Sequence, residues 1–327
     1  MKERIHYIDI TKGILILLLV MSHLSIALKW ANIDANHPYF TLWYYPQPLF
    51  QVFFMQCFFI VSGFCSNFDI NFTTFIQKLG KQLLIPWIFF ELIRIAVLAI
   101  QGKFSYLILP EYTSLWFLNA LIFAKLICWA IHKISKSYFA ILILTLILLT
   151  AGIALNEYEC GRNFLCYKQG LIDSFFVAVG FTLKKQKKVY DILLKFSCFI
   201  FLVLIGGRFL HLYNLPIQDA GIGVQLSTIP IFLLTSLTGS FACIWCCRRI
   251  SSNKFLEYYG RNSLIVYGLH MWPYIIIISI TSHFFEMETQ WNTLVFLFII
   301  YIFEVLLLLL TIELLNCKYL RFLIGRF

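Results

Sequence analysis

Residues 9–23 read DITKGILILLLVMSH, an apolar run opened by Asp9 and Lys12 and closed by Ser22 and His23. Wound as an α-helix, the stretch from Lys12 to His23 makes about three turns. Both side chains then share one face, with the imidazole roughly 16 Å further along the axis. A cation marks the mouth of this helix and a titratable ring its middle. Ionisable groups are costly in hydrocarbon and usually mark a functional path, so His23 is the first candidate for chemistry.

The same pattern of long apolar runs continues to the carboxyl end. Hydrophobic residues make up 61% of the 327-residue chain and charged ones only 13%, with a mean hydropathy of +0.83; a polar shell around a soluble core is excluded. Runs approaching the spanning length of about 20 residues lie at 13–28, 49–65, 83–100, 115–134, 138–154, 171–183, 192–210, 228–246, 263–284 and 293–315. The expectation is an all-α polytopic membrane protein of about ten transmembrane helices. The sixth run is the shortest, carries Asp173 and is framed by Gly170 and Gly180.

Charge placement checks that count. With the amino terminus in the cytoplasm, Lys2, Arg4, Lys12, Lys78, Lys81, Lys133, Lys136, the Lys184–Lys188 cluster, Lys195, Arg248, Arg249, Lys254, Arg261, Lys318, Arg321 and Arg326 all fall inside. Only Lys29, Lys103, Arg162, Lys168 and Arg208 fall outside. The bias predicts both termini in the cytoplasm and an even number of spans. The formal charge of +10 is then a topology signal and an attraction to the inner leaflet, with no nucleic acid as partner.

Lys2 and Arg4 ahead of an apolar stretch imitate a signal peptide, but no small-residue cleavage site follows and the helix is expected to be retained. With no linker, repeat or charge run to divide it, the chain reads as one membrane domain over 1–327 without a separate soluble domain. Most cysteines lie in apolar runs as packing residues. Cys160 and Cys166 share an outer loop where a disulfide is an option, and Cys243, Cys246 and Cys247 lack the further ligands zinc requires, so no metal is expected. Glu91 and Arg94 are spaced to pair on one helix face, and Lys125 and Glu304 are deep charges able to neutralise each other. Trp30, Tyr39, Phe40, Trp43, Tyr44 and Tyr45 form either an interfacial belt or a stacking surface for a sugar.

Several segments together resemble one family. Asp9-Ile-Thr-Lys12-Gly13 followed by Ser22-His23 is similar to the basic residue, spacer and histidine of the membrane acyltransferase-3 family. Phe58-Phe59-Ile60-Val61-Ser62-Gly63-Phe64 is similar to its FF-x-x-SGF segment, and Lys78-Leu79-Gly80-Lys81 to its basic stretch before helix three. Leu115-Trp116-Phe117-Leu118 resembles its WFL opening of helix four, and Gly260-Arg261-Asn262-Ser263-Leu264 with Tyr267 and His270 its late G-R-x-S-L…H segment. The order and the span of these segments most resemble the fucose-4-O-acetylase-like branch. The family often has Arg where Lys12, Lys78 and Lys81 stand, and Lys keeps the charge but not the bidentate fork for phosphate.

The resemblance implies an O-acyltransferase, commonly an O-acetyltransferase, taking its acyl group from cytoplasmic acyl-CoA, with acetyl-CoA as donor substrate and no permanently bound cofactor. The acceptor implied is a hydroxyl of a carbohydrate, a lipid-linked glycan or a related molecule at the plasma membrane, with membrane lipid around it. Lys12, Lys78 and Lys81 are then expected to hold the CoA phosphates, and His23 to act as general base, with Asp9 steadying the mouth near Lys12. Ser62, Asn119 and Tyr267 are candidate oxyanion or substrate donors, Trp116 a substrate contact, and His270 either a second catalytic group or a buried structural residue. An acyl-His intermediate is the alternative chemistry. A secondary transporter with a midplane ionisable site is the rival function, and a non-catalytic scaffold the third.

Overall fold

In hydrocarbon no water is present to pair with a peptide group, so each apolar run must satisfy its own N–H and C=O groups, and the α-helix does so within one segment. The computed structural model describes residues 5–30, 40–100, 115–209, 224–281 and 289–326. Among them every regular element is helical: α1 (His6–Trp30), α2 (Thr41–Tyr44), α3 (Gln47–Gln51), α4 (Phe54–Cys65), α5 (Phe72–Leu79), α6 (Ile85–Ile100), α7 (Trp116–Ser135), α8 (Tyr138–Glu157), α9 (Tyr167–Lys185), α10 (Lys187–Phe209), α11 (Ile229–Arg249), α12 (Lys254–Arg261), α13 (Ser263–Leu269), α14 (Met271–Thr281) and α15 (Gln290–Asn316), with short 3₁₀ and π turns between.

Nine stretches among the described residues are long and apolar enough to cross a bilayer, so the chain is a polytopic helical membrane protein. Nine of the ten expected runs correspond to them. The remaining run, 263–284, is divided between α13 and α14 at His270. Pro273 has no N–H to give to the carbonyl of Leu269 and its ring crowds that position, which interrupts the ladder. The sixth run is longer than its apolar letters suggest, reaching from Phe164 to Lys185. Buried Lys168 lengthens it at little cost, because its ammonium donates to the carbonyls of Leu155 at 3.0 Å and Gly161 at 2.9 Å. The third also starts earlier, at Phe72, and passes through a π turn at Gly80–Leu84. Pro86, unable to bond Gln82, accounts for that widened turn.

The chain forms two compact units. One comprises 1–51 and 247–322, the other 52–246 and 323–327. In the first, α1 packs along α12, α13, α14 and α15. Gly13 lies on the backbone of Leu256, and Gly260 on the carbonyl of Asp9, so α1 and α12 meet main chain to main chain. In the second, α9 is the central post and packs on α4, α7 and α8. Glycine makes each approach: Gly63 against Val177 and Gly180 against Ile60 for α4, Gly170 against Phe123 for α7, and Gly152 against Ile172 for α8.

The turn after α4 is fastened by side chains. Asp69 Oδ1 accepts from His132 Nε2 at 2.9 Å, and Lys185 Nζ lies 3.6 Å from Asp69 Oδ2. Lys133 donates to the Asp69 carbonyl at 2.9 Å, Trp129 Nε1 to that of Ile70 at 3.1 Å, and Lys184 to that of Ser66 at 3.0 Å. The ends of α7 and α9 are thereby pinned to one loop. The hydrogen bond from His132, with Lys185 adding to it and partial burial opposing, holds the Asp69 carboxyl below its ordinary value.

Two outcomes are expected. Gly63→Ala and Gly180→Ala each lose about 1–3 kcal/mol of stability from overpacking, whereas Gly80→Ala, whose added methyl meets nothing within 4 Å, is neutral in thermal unfolding. Because the Asp69 carboxyl titrates lower in the folded chain, its contribution is complete above the ordinary carboxylate range and is lost as pH falls through the lowered value. Wild type is therefore more stable than Asp69→Asn near pH 7, by under about 1 kcal/mol for a side chain 54% exposed. Thermal unfolding of the pair shows that gap closing as pH falls below the ordinary carboxylate range.

Candidate active site

α1 runs unbroken from His6 to Trp30, so Lys12 and His23 do share one helix, and Asp9 stands in its first turn, where a carboxylate suits the helix dipole. Lys12 lies about a turn and a half inside the helix start and is half-buried. Two tyrosines of the same unit anchor α1 on the His23 side. Tyr274 on α14 donates to the Val20 carbonyl at 3.1 Å, and Tyr301 on α15 to the Leu17 carbonyl at 3.2 Å. Tyr259 on α12 reaches the Val305 carbonyl. Val20 precedes His23 by one turn and Tyr274 follows His270 by one turn, so the contact at Val20 aligns the two histidines.

The rings of His23 and His270 meet edge to face, with centroids 4.9 Å apart at 81°. Nδ1 of His23 lies 2.9 Å from the Leu19 carbonyl, which also accepts the Ser22 hydroxyl at 2.8 Å. Nδ1 of His270 lies 3.1 Å from the Val266 carbonyl and 3.0 Å from that of Tyr267. A carbonyl only accepts, so Nδ1 carries the proton in each neutral ring and the lone pair stands on Nε2. Both imidazoles are held in the same tautomer by their own helices, with the lone pair on Nε2. His270 is buried, and its Nε2 has no hydrogen-bond partner among the described residues. The Tyr267 ring, also buried, lies 6.4 Å from that of His270. A neutral imidazole in this tautomer can accept a proton at Nε2.

Glu304, one turn from Tyr301 on α15, is fully buried, and neither carboxylate oxygen has a hydrogen-bond partner among the described residues. Lys125, read from the sequence as able to neutralise it, belongs to the other unit.

Lys78, Lys81, Ser62, Trp116 and Asn119 also fall in that second unit. Lys78 is exposed in the last turn of α5, and Lys81 is exposed in the π turn. Ser62 is half-buried on α4, while Trp116 and Asn119 are buried in the first turn of α7. Phe58 and Phe59 both pack on Phe117, with centroids at 5.7 and 4.8 Å, so the FFIVSGF and LWFL segments form one packed contact. Glu91 and Arg94 form the expected pair, Arg94 Nε donating to Glu91 Oε1 at 2.9 Å. Cys160 is exposed and Cys166 buried, and no disulfide joins them. Of the outer aromatics, Phe40 and Trp43 are buried, Trp43 against Tyr301 at 6.2 Å, and Tyr45 is exposed. Tyr39 and the side chains of Trp30 and Tyr44 lie outside the described residues.

The first unit thus sets a tautomer-fixed histidine pair against the first helix of a polytopic helical membrane protein. The family model described as an acyltransferase domain matches residues 5–313. The chain belongs to the acyltransferase-3 family and is a membrane acyltransferase. Comparison with curated proteins and with solved structures returns no match.

An unpaired buried carboxyl is expensive, and replacing it with an apolar group of similar shape removes that cost. Glu304→Met is therefore expected to raise thermal stability, by roughly 1–3 kcal/mol. A fall in the unfolding midpoint would show that Glu304 has a partner on which folding depends.

Proposed function

We propose that the protein is an O-acyltransferase, in its simplest form an O-acetyltransferase of the fucose-4-O-acetylase-like branch, with His23 as its general base. The donor is cytoplasmic acyl-CoA. The acceptor is a hydroxyl of a cell-envelope carbohydrate or lipid-linked glycan at the plasma membrane. The observation that carries this reading is the fixed tautomer of His23, whose proton is committed to the Leu19 carbonyl so that Nε2 is basic.

In the reaction, Nε2 of His23 takes the acceptor hydroxyl proton as the oxygen attacks the thioester carbonyl carbon. Collapse of the tetrahedral intermediate breaks the C–S bond, and the proton passes from the imidazolium to the leaving CoA thiolate. His270, edge-on to His23, disperses the charge on the imidazolium or holds the acceptor through its own Nε2. Within the same unit, Tyr267 is the donor to the developing oxyanion. Lys12 binds a CoA phosphate as a point charge, and Asp9 orients Lys12 from one turn away on α1. The thioester arm extends from Lys12 towards His23 over roughly 16 Å of helix. Family membership supports acyl transfer over solute transport.

The test is CoA release from acetyl-CoA by the purified protein in lipid, with and without a mixture of cell-envelope glycans. His23→Ala is expected to lose the glycan-stimulated rate by 10²–10⁴-fold, the range for removal of a general base, while its thermal unfolding stays near wild type. Release that persists in the variant overturns the assignment of the base. Wild type that neither releases CoA nor is stabilised by acetyl-CoA overturns the donor.

A further inference from the structure

In the second unit, α8, α9, α10 and the middle of α11 line an open-sided cavity of about 530 Å³. Its walls are apolar: Leu146 on α8, Phe175 and Val179 on α9, Leu193 and Phe196 on α10 and Phe241 on α11. Along α9 the lining runs from Phe175 to Gln186, which at 1.5 Å per residue is about 16 Å. That is about half the ~30 Å thickness of a bilayer's hydrocarbon. The groove therefore matches the chain region of a single leaflet.

Ser197 and Thr238 also line it, but their hydroxyls donate to the carbonyls of Leu193 and Leu234 on their own helices; the other polar lining residues, Gln186 and Thr182, lie at one end. Gln186 lines the rim at the junction of α9 and α10, and Thr182 stands one turn deeper. Thr182 is 5% exposed and its hydroxyl has no hydrogen-bond partner among the described residues. Beyond the rim, Lys184 is tied to Ser66 and Lys185 to Asp69. Lys187 and Lys188 are exposed in the first turn of α10, which contains no acidic residue; Asp191, the nearest acid along that helix, is also exposed. Two cations at the positive end of a 23-residue helix stand against the helix dipole, and an anion there relieves both.

We propose that this groove is a binding site for an anionic glycerophospholipid of the leaflet at the Lys187–Lys188 end. The phosphate sits on Lys187 and Lys188 at the amino end of α10, the ester carbonyl accepts from Thr182, and one acyl chain lies along Phe175, Val179 and Phe196. The sequence of groups in the site, cation, hydroxyl donor, hydrocarbon, is the sequence phosphate, ester, chain in the lipid. The site is independent of the acyl-transfer reading.

The test adds phosphatidylglycerol or phosphatidylcholine of identical chains to the full-length protein in detergent and follows thermal unfolding against lipid concentration. Wild type is expected to be stabilised at lower concentrations of phosphatidylglycerol than of phosphatidylcholine. In Lys187→Glu/Lys188→Glu the concentration needed rises roughly tenfold or more, while Lys318→Glu/Arg321→Glu keeps the wild-type response. Thr182→Val weakens the response to both lipids and retains the preference. Equal responses to the two lipids in wild type overturn the proposal, as does a preference retained by the Lys187/Lys188 variant. Should the charge reversal fail to fold, Lys187→Gln/Lys188→Gln carries the same expectation. A polyprenyl phosphate that stabilises where phosphatidylglycerol does not overturns it in favour of an isoprenoid lipid.

Discussion

The rest of the structure depends on how closely helix backbones approach one another. Lipid tails are as apolar as leucine, so burying hydrocarbon gives two membrane helices no reason to meet. Van der Waals contact over a close, well-fitted surface must supply it. Here the fit is made by glycine. Gly13 and Gly260 let α1 and α12 touch main chain to main chain, and Gly63 and Gly180 do the same for α4 and α9. Each contact uses one glycine from each partner. A methyl on either side would fall within the other helix's backbone, where nothing flexible can move aside.

This constraint changes the reading of the segments that mark the family. Gly13 in Asp9–Gly13, Gly63 in the SGF segment and Gly260 at the start of the late segment are all crossing points. Phe58 and Phe59 are occupied with Phe117. Much of what looks like a family signature is therefore helix-crossing and packing geometry. His23 has a different status, since its ring is oriented by its own helix through the Leu19 carbonyl and met edge-on by His270. Its position depends on the α1 crossing, and its tautomer on the hydrogen bond that Nδ1 donates to the Leu19 carbonyl.

The helical class and most of the spans were legible in the sequence because hydrocarbon leaves so few options: a long apolar run is a helix or it is not in the membrane. The spans that differed did so for local reasons that apolarity does not record. Pro273 divides the segment around His270, and Lys168 extends the sixth span because two carbonyls satisfy its ammonium. His23 was legible through its depth below Lys12. Its pairing with His270, far away in the chain, was not, because it follows from how Tyr274 anchors α14 to Val20. Asp69 and His132 went unnoticed for a similar reason. They are 63 residues apart and neither lies in a recognisable pattern. A surplus of basic residues at the ends of α7 and α9 was visible, but it was absorbed into the topology signal.

The break at Pro273 connects the fold to the site. An unbroken helix through 263–281 would direct each side chain by a single 100° progression, and any shift at Tyr274 would be passed rigidly to His270. With no N–H at Pro273 the segment is jointed just beyond His270. Tyr274 then seats on α1 while the His270 ring is held from the other side, through Val266 and Tyr267 of α13. The ring thus answers to α13, and its approach to His23 answers to α14. Two independent anchors determine a ring position better than one long lever does, and they achieve it with a residue that elsewhere in a helix would be a defect. The same proline keeps this segment from forming one continuous span.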